Sequence, residues 1–462
     1  MGNTNKHHFL LQKGILFFVL FLCSYVVLAD DKQNNWQQIP ISNSVSYIDE
    51  NGLERQLTPS CSGGPVCQID SQTGQISCEP GDTEYSFFLK KGDTDKLVIF
   101  FDGGGACWNA NNCINFPTYN PTVNETPDQL AQAGGIADFQ NPENPFKDWS
   151  MVFLPYCTGD VHWGSNEEEY VDTFGTLGEP GSMATIHHRG FDNFQAVLHW
   201  LNSYYADPEK SKKSKKFKKT KFKKGLKDVE QLLVTGSSAG AYGALMAFPY
   251  FRESMPKARA SLLGDAGSGV LSESFVIEAL DSLTSVDTST WHVRQNLPSW
   301  IPGMSNVFSL GANGYPIAIY NLIAGYYPDS HIGQYASAWD LTQIGFLHIS
   351  QNINDPSVWN NPTPNVVCEF NLRMRNFSYS VASSSANYRY YIGAGTHHSV
   401  LANGDDPNLF YTEASAGDVR FLDWLRGMIA EPSDDADSIS SQWRNLECED
   451  CEPLFDPLLC LG

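Results

Sequence analysis

Gly236-Ser237-Ser238-Ala239-Gly240 has the residue types and spacing of a nucleophile held in a tight corner. A serine flanked by glycines can project its hydroxyl from a strained strand-to-helix turn, where bulk at the flanking positions would strike the neighbouring strand and helix. Both elements are present in the sequence: the apolar run Leu232-Leu233-Val234 precedes the pentapeptide, and a small-residue, apolar stretch at 241–248 follows it. Ser238 is the expected nucleophile. The plainer reading is a turn in which Ser237 or Ser238 merely caps the helix.

Such a serine needs a base to take its proton and an acid to orient that base, and on a helix-flanked sheet they follow it in the order acid, then histidine. Tyr388-Arg389-Tyr390-Tyr391-Ile392 reads as a strand and 393–399 as the loop leaving it, so His397 or His398 could be the general base. Two aspartates could be the acid. Asp340 follows a short small-residue stretch at 332–338, and Asp265 ends the run Ser261-Leu262-Leu263-Gly264. Position alone does not choose, and an aspartate after a strand also suits a helix cap or turn.

Acyl transfer further requires N–H donors for the developing oxyanion. The strand-like Lys96-Leu97-Val98-Ile99-Phe100-Phe101 runs directly into Asp102-Gly103-Gly104-Gly105-Ala106-Cys107-Trp108, where consecutive glycines let the backbone approach a ligand and turn its amides towards it. A flexible turn is the bland alternative. A phosphate cradle is disfavoured because no Lys-Ser or Lys-Thr follows the glycines.

Taken together, Phe101 to Trp108, Tyr156-Cys157-Thr158-Gly159-Asp160-Val161-His162-Trp163-Gly164, and Gly236 to Ala241 resemble the pectinacetylesterase family, which also includes an animal Wnt deacylase. The resemblance runs over about 97–426. It implies an α/β-hydrolase-like serine esterase with Ser238 as nucleophile. It also implies Asp340 as acid, because Trp339-Asp340-Leu341-Thr342-Gln343 is similar to a Tyr-Asp-x-x-Gln segment. A Gly-Thr-x-His-(Ser/Thr) pattern selects His398 over His397 and supports Asp340 over Asp265. By the same resemblance Gly104, Gly105 and Ala239 form the oxyanion hole. The animal member carries an aromatic residue where this chain has Gly105, which leans towards the pectin-directed members. The implied substrate is an O-acetyl ester on a pectin-like polysaccharide. A lipid or protein-lipid deacylase is the alternative within enzymes, and an inactive glycan-binding protein on the same fold is the alternative outside them. No cofactor and no metal are expected.

The alternation of strand-like runs (97–101, 151–155, 231–235, 261–264, 332–337, 388–392) with helical patterns at 194–205 and 239–252 predicts an α/β fold, a mainly parallel sheet with helices on both faces and long insertions. The expected organisation is a signal peptide at 1–29, a disulfide-bearing, antiparallel N-terminal extension at 30–86, a catalytic domain at 87–430 and a cysteine-containing tail at 431–462. Lys13 before an apolar run at 14–28, with Ala29 before Asp30, is the signal-peptide pattern. The run is shorter than the roughly 20 residues of a spanning helix. Of eleven cysteines, Cys23 falls in the leader; the ten left suit disulfides in a secreted chain better than zinc at Cys448-Glu449-Asp450-Cys451 with Cys61, Cys67 and Cys78. Asn124-Glu125-Thr126 and Asn376-Phe377-Ser378 are glycosylation sequons.

The chain carries a formal charge of −22, yet eleven of its thirty basic residues crowd into 210–227. That run reads as a solvated loop that could meet an anionic glycan. Overall acidity and the leader argue against nucleic acid. The expected state is a monomer, secreted to the extracellular space or cell wall, without a membrane partner once the leader is removed. Trp291, Trp300, Phe308, Tyr315, Tyr320, Tyr326 and Tyr327, in the insertion between the two candidate acids, are expected either to line a cleft or to pack; His162 reads as structural.

Overall fold

Every apolar run read as a strand forms one, and the runs lie side by side. The computed structural model describes residues 36–48, 54–69, 76–92, 95–206, 226–431 and 438–449, with Thr73, Cys451 and Cys460. Its strands are β1 (Trp36–Pro40), β2 (Val45–Ile48), β3 (Glu54–Leu57), β4 (Pro65–Ile69), β5 (Ile76–Pro80), β6 (Ser86–Lys90), β7 (Lys96–Phe101) and β8 (Ser150–Leu154). They continue with β9 (Asn166–Asp172), β10 (Ser182–His188), β11 (Gln231–Ser237), β12 (Arg259–Asp265), β13 (His331–Ser337), β14 (Tyr388–Gly393) and β15 (Leu446–Glu447). Nine form one sheet in the order β1-β6-β8-β7-β11-β12-β13-β14-β15. Pairing is parallel from β8 to β15 and antiparallel at β6–β8 and β1–β6.

The parallel strands are apolar almost throughout because both faces are covered. Along β7, Leu97, Ile99 and Phe101 face a core with Phe194, Val197 and Leu201 of helix Gly190–Ala206 and Ala244, Phe248 and Phe251 of helix Ala239–Ser254. Val98 and Phe100 face the opposite core with Phe421, Trp424 and Leu425 of helix Phe421–Ile429. Each such side chain contributes about 1.5–3 kcal/mol on burial, against about 0–1 kcal/mol for a surface ion pair. The apolar strands therefore hold the frame, and polar chemistry is confined to their ends. The expected α/β-hydrolase-like sheet, helices on both faces, is what the chain builds.

The described residues belong to one compact unit. The N-terminal stretch supplies the antiparallel hairpins β2–β3 and β4–β5, and β1 extends the main sheet. Within the stretch read as a tail, β15 adds the ninth strand beside β14. The ten cysteines after Cys23 all pair: Cys61–Cys157, Cys67–Cys78, Cys107–Cys113, Cys368–Cys460 and Cys448–Cys451. The signal peptide expected at 1–29 and the lysine-rich run at 210–225 lie outside the described residues, and with them the anionic-glycan contact expected of that run. Among the described residues no helix is long and apolar enough to cross a membrane. Asn124 and Asn376 are both exposed.

Candidate active site

The residues singled out for chemistry sit at the carboxyl ends of neighbouring parallel strands. β7 leads into the glycine loop, β11 into Ser238, β13 into Asp340 and β14 into His398, while Asp265 closes β12. Ser238 begins the turn into helix Ala239–Ser254 with φ 57° and ψ −124°, a left-handed conformation that costs a serine about 1–3 kcal/mol. Its flanking glycines are required by close approach: a β-carbon on Gly236 or Gly240 would overlap the Phe101 carbonyl oxygen.

His398 Nδ1 lies 2.8 Å from Asp340 Oδ2 and 3.0 Å from Oδ1. Nε2 of the same ring is buried and has no hydrogen-bond partner among the described residues. Burial alone would pull the His398 pKa down, but the charge and hydrogen bond of Asp340, with the charge of Asp265, carry it above the ordinary 6.5. Asp340 is fully buried and also caps helix Leu341–Gln351, accepting from the Thr342 and Gln343 N–H groups at 3.0 Å. One carboxylate thus caps the helix and meets the imidazole.

Gln343 completes the acid's environment. Its Nε2 donates to Asp340 Oδ2 at 2.9 Å, and its Oε1 accepts from Ser268 N–H and Oγ at 2.9 and 2.7 Å. No role was read for it from the sequence, although the three-residue spacing after Asp340 is that of a capping box.

Ser238 and His398 both line one cavity, together with Gly105 and Ala239. Ala239 opens a 16-residue helix, so its N–H lies at the positive end of the helix dipole. The bridge between Gly105 and Tyr119 is made by their neighbours: Asn120 N–H donates to Gly104 O at 2.8 Å and Ala106 N–H to Thr118 O at 3.3 Å. Among the described residues the Gly105 N–H makes no hydrogen bond. Gly104, expected as a third donor, is not among the residues that line the cavity. The loop is braced from below, where the buried His162 Nε2 lies 3.0 Å from Asp102 O. Burial depresses that imidazole to a pKa of about 4, so it stays neutral and structural, as expected.

The alternatives fall elsewhere. His397 Nε2 contacts Tyr335 Oη and lies 3.8 Å from Glu413 Oε2, and it does not line the cavity. Asp265 makes no hydrogen bond to either histidine among the described residues; it binds Ser237, Ser399, Val400 and Leu401. Of the seven aromatics in the insertion only Tyr315 lines the cavity, and Trp291, Phe308, Tyr320 and Tyr327 are buried in packing. The wall is otherwise apolar, with Trp108, Val161, Trp163, Val270, Leu271 and Phe346 prominent. The space open to the centre of a water molecule is about 50 Å³.

The Pectinacetylesterase family model matches residues 69–207. The chain is 25% identical to human palmitoleoyl-protein carboxylesterase NOTUM over 187 residues, 39% of this chain and 31% of that protein. It is 26% identical to Arabidopsis thaliana pectin acetylesterase 5 over 174 residues, 37% of this chain and 33% of that protein. The matched region therefore spans about a third of the length of these relatives. The solved structure of the Wnt deacylase Notum from Drosophila is similar with a TM-score of 0.46 and 16% identity, over 86% of this chain and 98% of that one. The resemblance read from the sequence motifs is borne out by the family model and the relatives.

Proposed function

We infer that this chain, related in sequence to the pectinacetylesterases, is a serine carboxylesterase that removes short acyl groups, O-acetyl foremost, from a pectin-like polysaccharide. One observation carries the reading: Asp340 holds Nδ1 of His398, while Nε2 is left unbonded on the ring of a residue that lines the same cavity as Ser238. Nε2 takes the Ser238 proton as Oγ bonds to the acyl carbon, and the carbonyl oxygen becomes an oxyanion received by the Gly105 and Ala239 N–H groups. The ester C–O bond then breaks, and His398 returns the proton to the departing sugar hydroxyl. Water, deprotonated by His398, attacks the acyl-serine and releases the acid and Ser238.

The sequence relation to a plant pectin acetylesterase supports a short acyl group on a polysaccharide. The apolar wall favours a second reading, a deacylase of longer chains, since one relative is a palmitoleoyl-protein carboxylesterase. Five disulfides suit an oxidising compartment, and secretion is part of the proposal.

The test is hydrolysis of a p-nitrophenyl ester series by the wild type and Ser238→Ala. We expect the variant to lose about six powers of ten in kcat and the wild type to prefer acetate. A preference for long chains would select the deacylase reading. Absence of turnover on every ester would favour a glycan-binding protein.

A further inference from the structure

The proposed mechanism gives no role to the carboxylate that sits between its nucleophile and its histidine loop. Asp265 is fully buried at the end of β12, where burial pushes its pKa up and a set of hydrogen bonds opposes that push. It accepts from Ser237 Oγ at 2.9 Å, Ser399 Oγ at 2.8 Å, Val400 N–H at 3.0 Å and Leu401 N–H at 2.8 Å. Its backbone carbonyl accepts from the Ser238 N–H at 2.8 Å. Thus one residue grips the nucleophile and the residue before it, and also the three residues that follow His398. No other residue among those described makes hydrogen bonds to both segments.

Backbone strain gathers at the same place. Ser238 (φ 57°), Ala266 (φ 58°) and Ser399 (φ 66°) are all non-glycine residues in the left-handed region. Each is strained and persists only where its surroundings over-determine it. Asp265 is adjacent in sequence or hydrogen-bonded to all three.

Resting on the Ser238–His398–Asp340 reading, we propose that Asp265 is a positioning residue that fixes the nucleophile turn and the histidine loop in register with each other. Asp340 orients the imidazole through Nδ1; Asp265 sets where the two reacting groups stand. An asparagine would keep an oxygen where Oδ2 now accepts from all four partners, but it would place its N–H group where Oδ1 accepts from the Val400 N–H at 3.1 Å and would remove the negative charge that these bonds hold.

The test uses the purified full chain, p-nitrophenyl acetate and a fluorophosphonate probe that labels an activated serine. For Asp265→Asn we expect kcat to fall about 100-fold, the usual effect of an ångström-scale misplacement, with KM little changed and the labelling rate falling in parallel. A merely structural role would instead lower the fraction of folded, labelled protein without changing the rate of what remains. If Asp265→Asn does not fold, the Ser237→Ala/Ser399→Ala double variant carries the test, with about a ten-fold slower labelling rate expected from two lost hydrogen bonds to a carboxylate. Wild-type rates in whichever variant folds overturn this inference alone. A wild type that is never labelled at Ser238 overturns the nucleophile assignment and takes the inference with it.

Discussion

The floor and the wall of the cavity are built on opposite principles. The floor is polar and made of single residues from the ends of parallel strands: Ser238 after β11 and His398 after β14, with Asp340, after β13, holding His398 from behind. In the proposed mechanism each of these has a chemical task that few residue types can perform, and each is fixed by specific hydrogen bonds. The wall is mostly apolar and comes from loops, the insertion after β12 and helix Leu341–Gln351 after β13, with Val270, Leu271, Phe346 and Tyr315 beside Trp108 and Trp163. Its task is to occupy volume, which many residue sets could do. Changes in the floor should therefore alter rate by orders of magnitude, and changes in the wall should alter which ester is preferred.

The strongest way to break that contrast is Asp340→Asn. It preserves shape but offers the imidazole an amide in place of a carboxylate, and kcat on p-nitrophenyl acetate should fall by about 10⁴. A loss below about ten-fold would remove Asp340 from the floor and return it to the role of a helix cap. On the wall, Phe346→Ala should raise the preference for butyrate over acetate about ten-fold while leaving the acetate rate close to wild type. A uniform loss on all esters would mean that the wall also positions the chemistry. The smallest effect is in pH. His398 must be neutral to act as base, and its pKa lies above the ordinary 6.5. The acid limb of kcat/KM should accordingly have its midpoint above 6.5, with activity gained as pH rises through it. A midpoint below 6.5 would indicate that burial outweighs the two aspartates.

The same contrast explains what could be read from residues alone. Strands such as 96–101 and 231–237 were legible because both their faces are buried, which writes a continuous apolar run into the chain. The glycines around Ser238 were legible because a β-carbon there would strike Phe101. The choice between Asp340 and Asp265 was not, since both follow strands and only the tertiary arrangement decides which carboxylate meets the imidazole. Motif resemblance favoured Asp340 and His398, the two that pair. The role of Asp265 was hidden because its partners are more than 130 residues away in the histidine loop and visible only once the Ser237↔Asp265 register is known. The disulfide map was closed to inspection for a similar reason: Cys61 and Cys157 are 96 residues apart. The seven aromatics of the insertion were ambiguous because a ring filling a core and a ring lining a cleft have the same sequence signature.

Acid quenching during turnover of p-nitrophenyl acetate, followed by peptide mass spectrometry, tests the central claim most directly. The account predicts one acetyl group on the peptide bearing Ser238, absent from Ser238→Ala. Acetyl transfer to another serine, or turnover undiminished in Ser238→Ala, would contradict it.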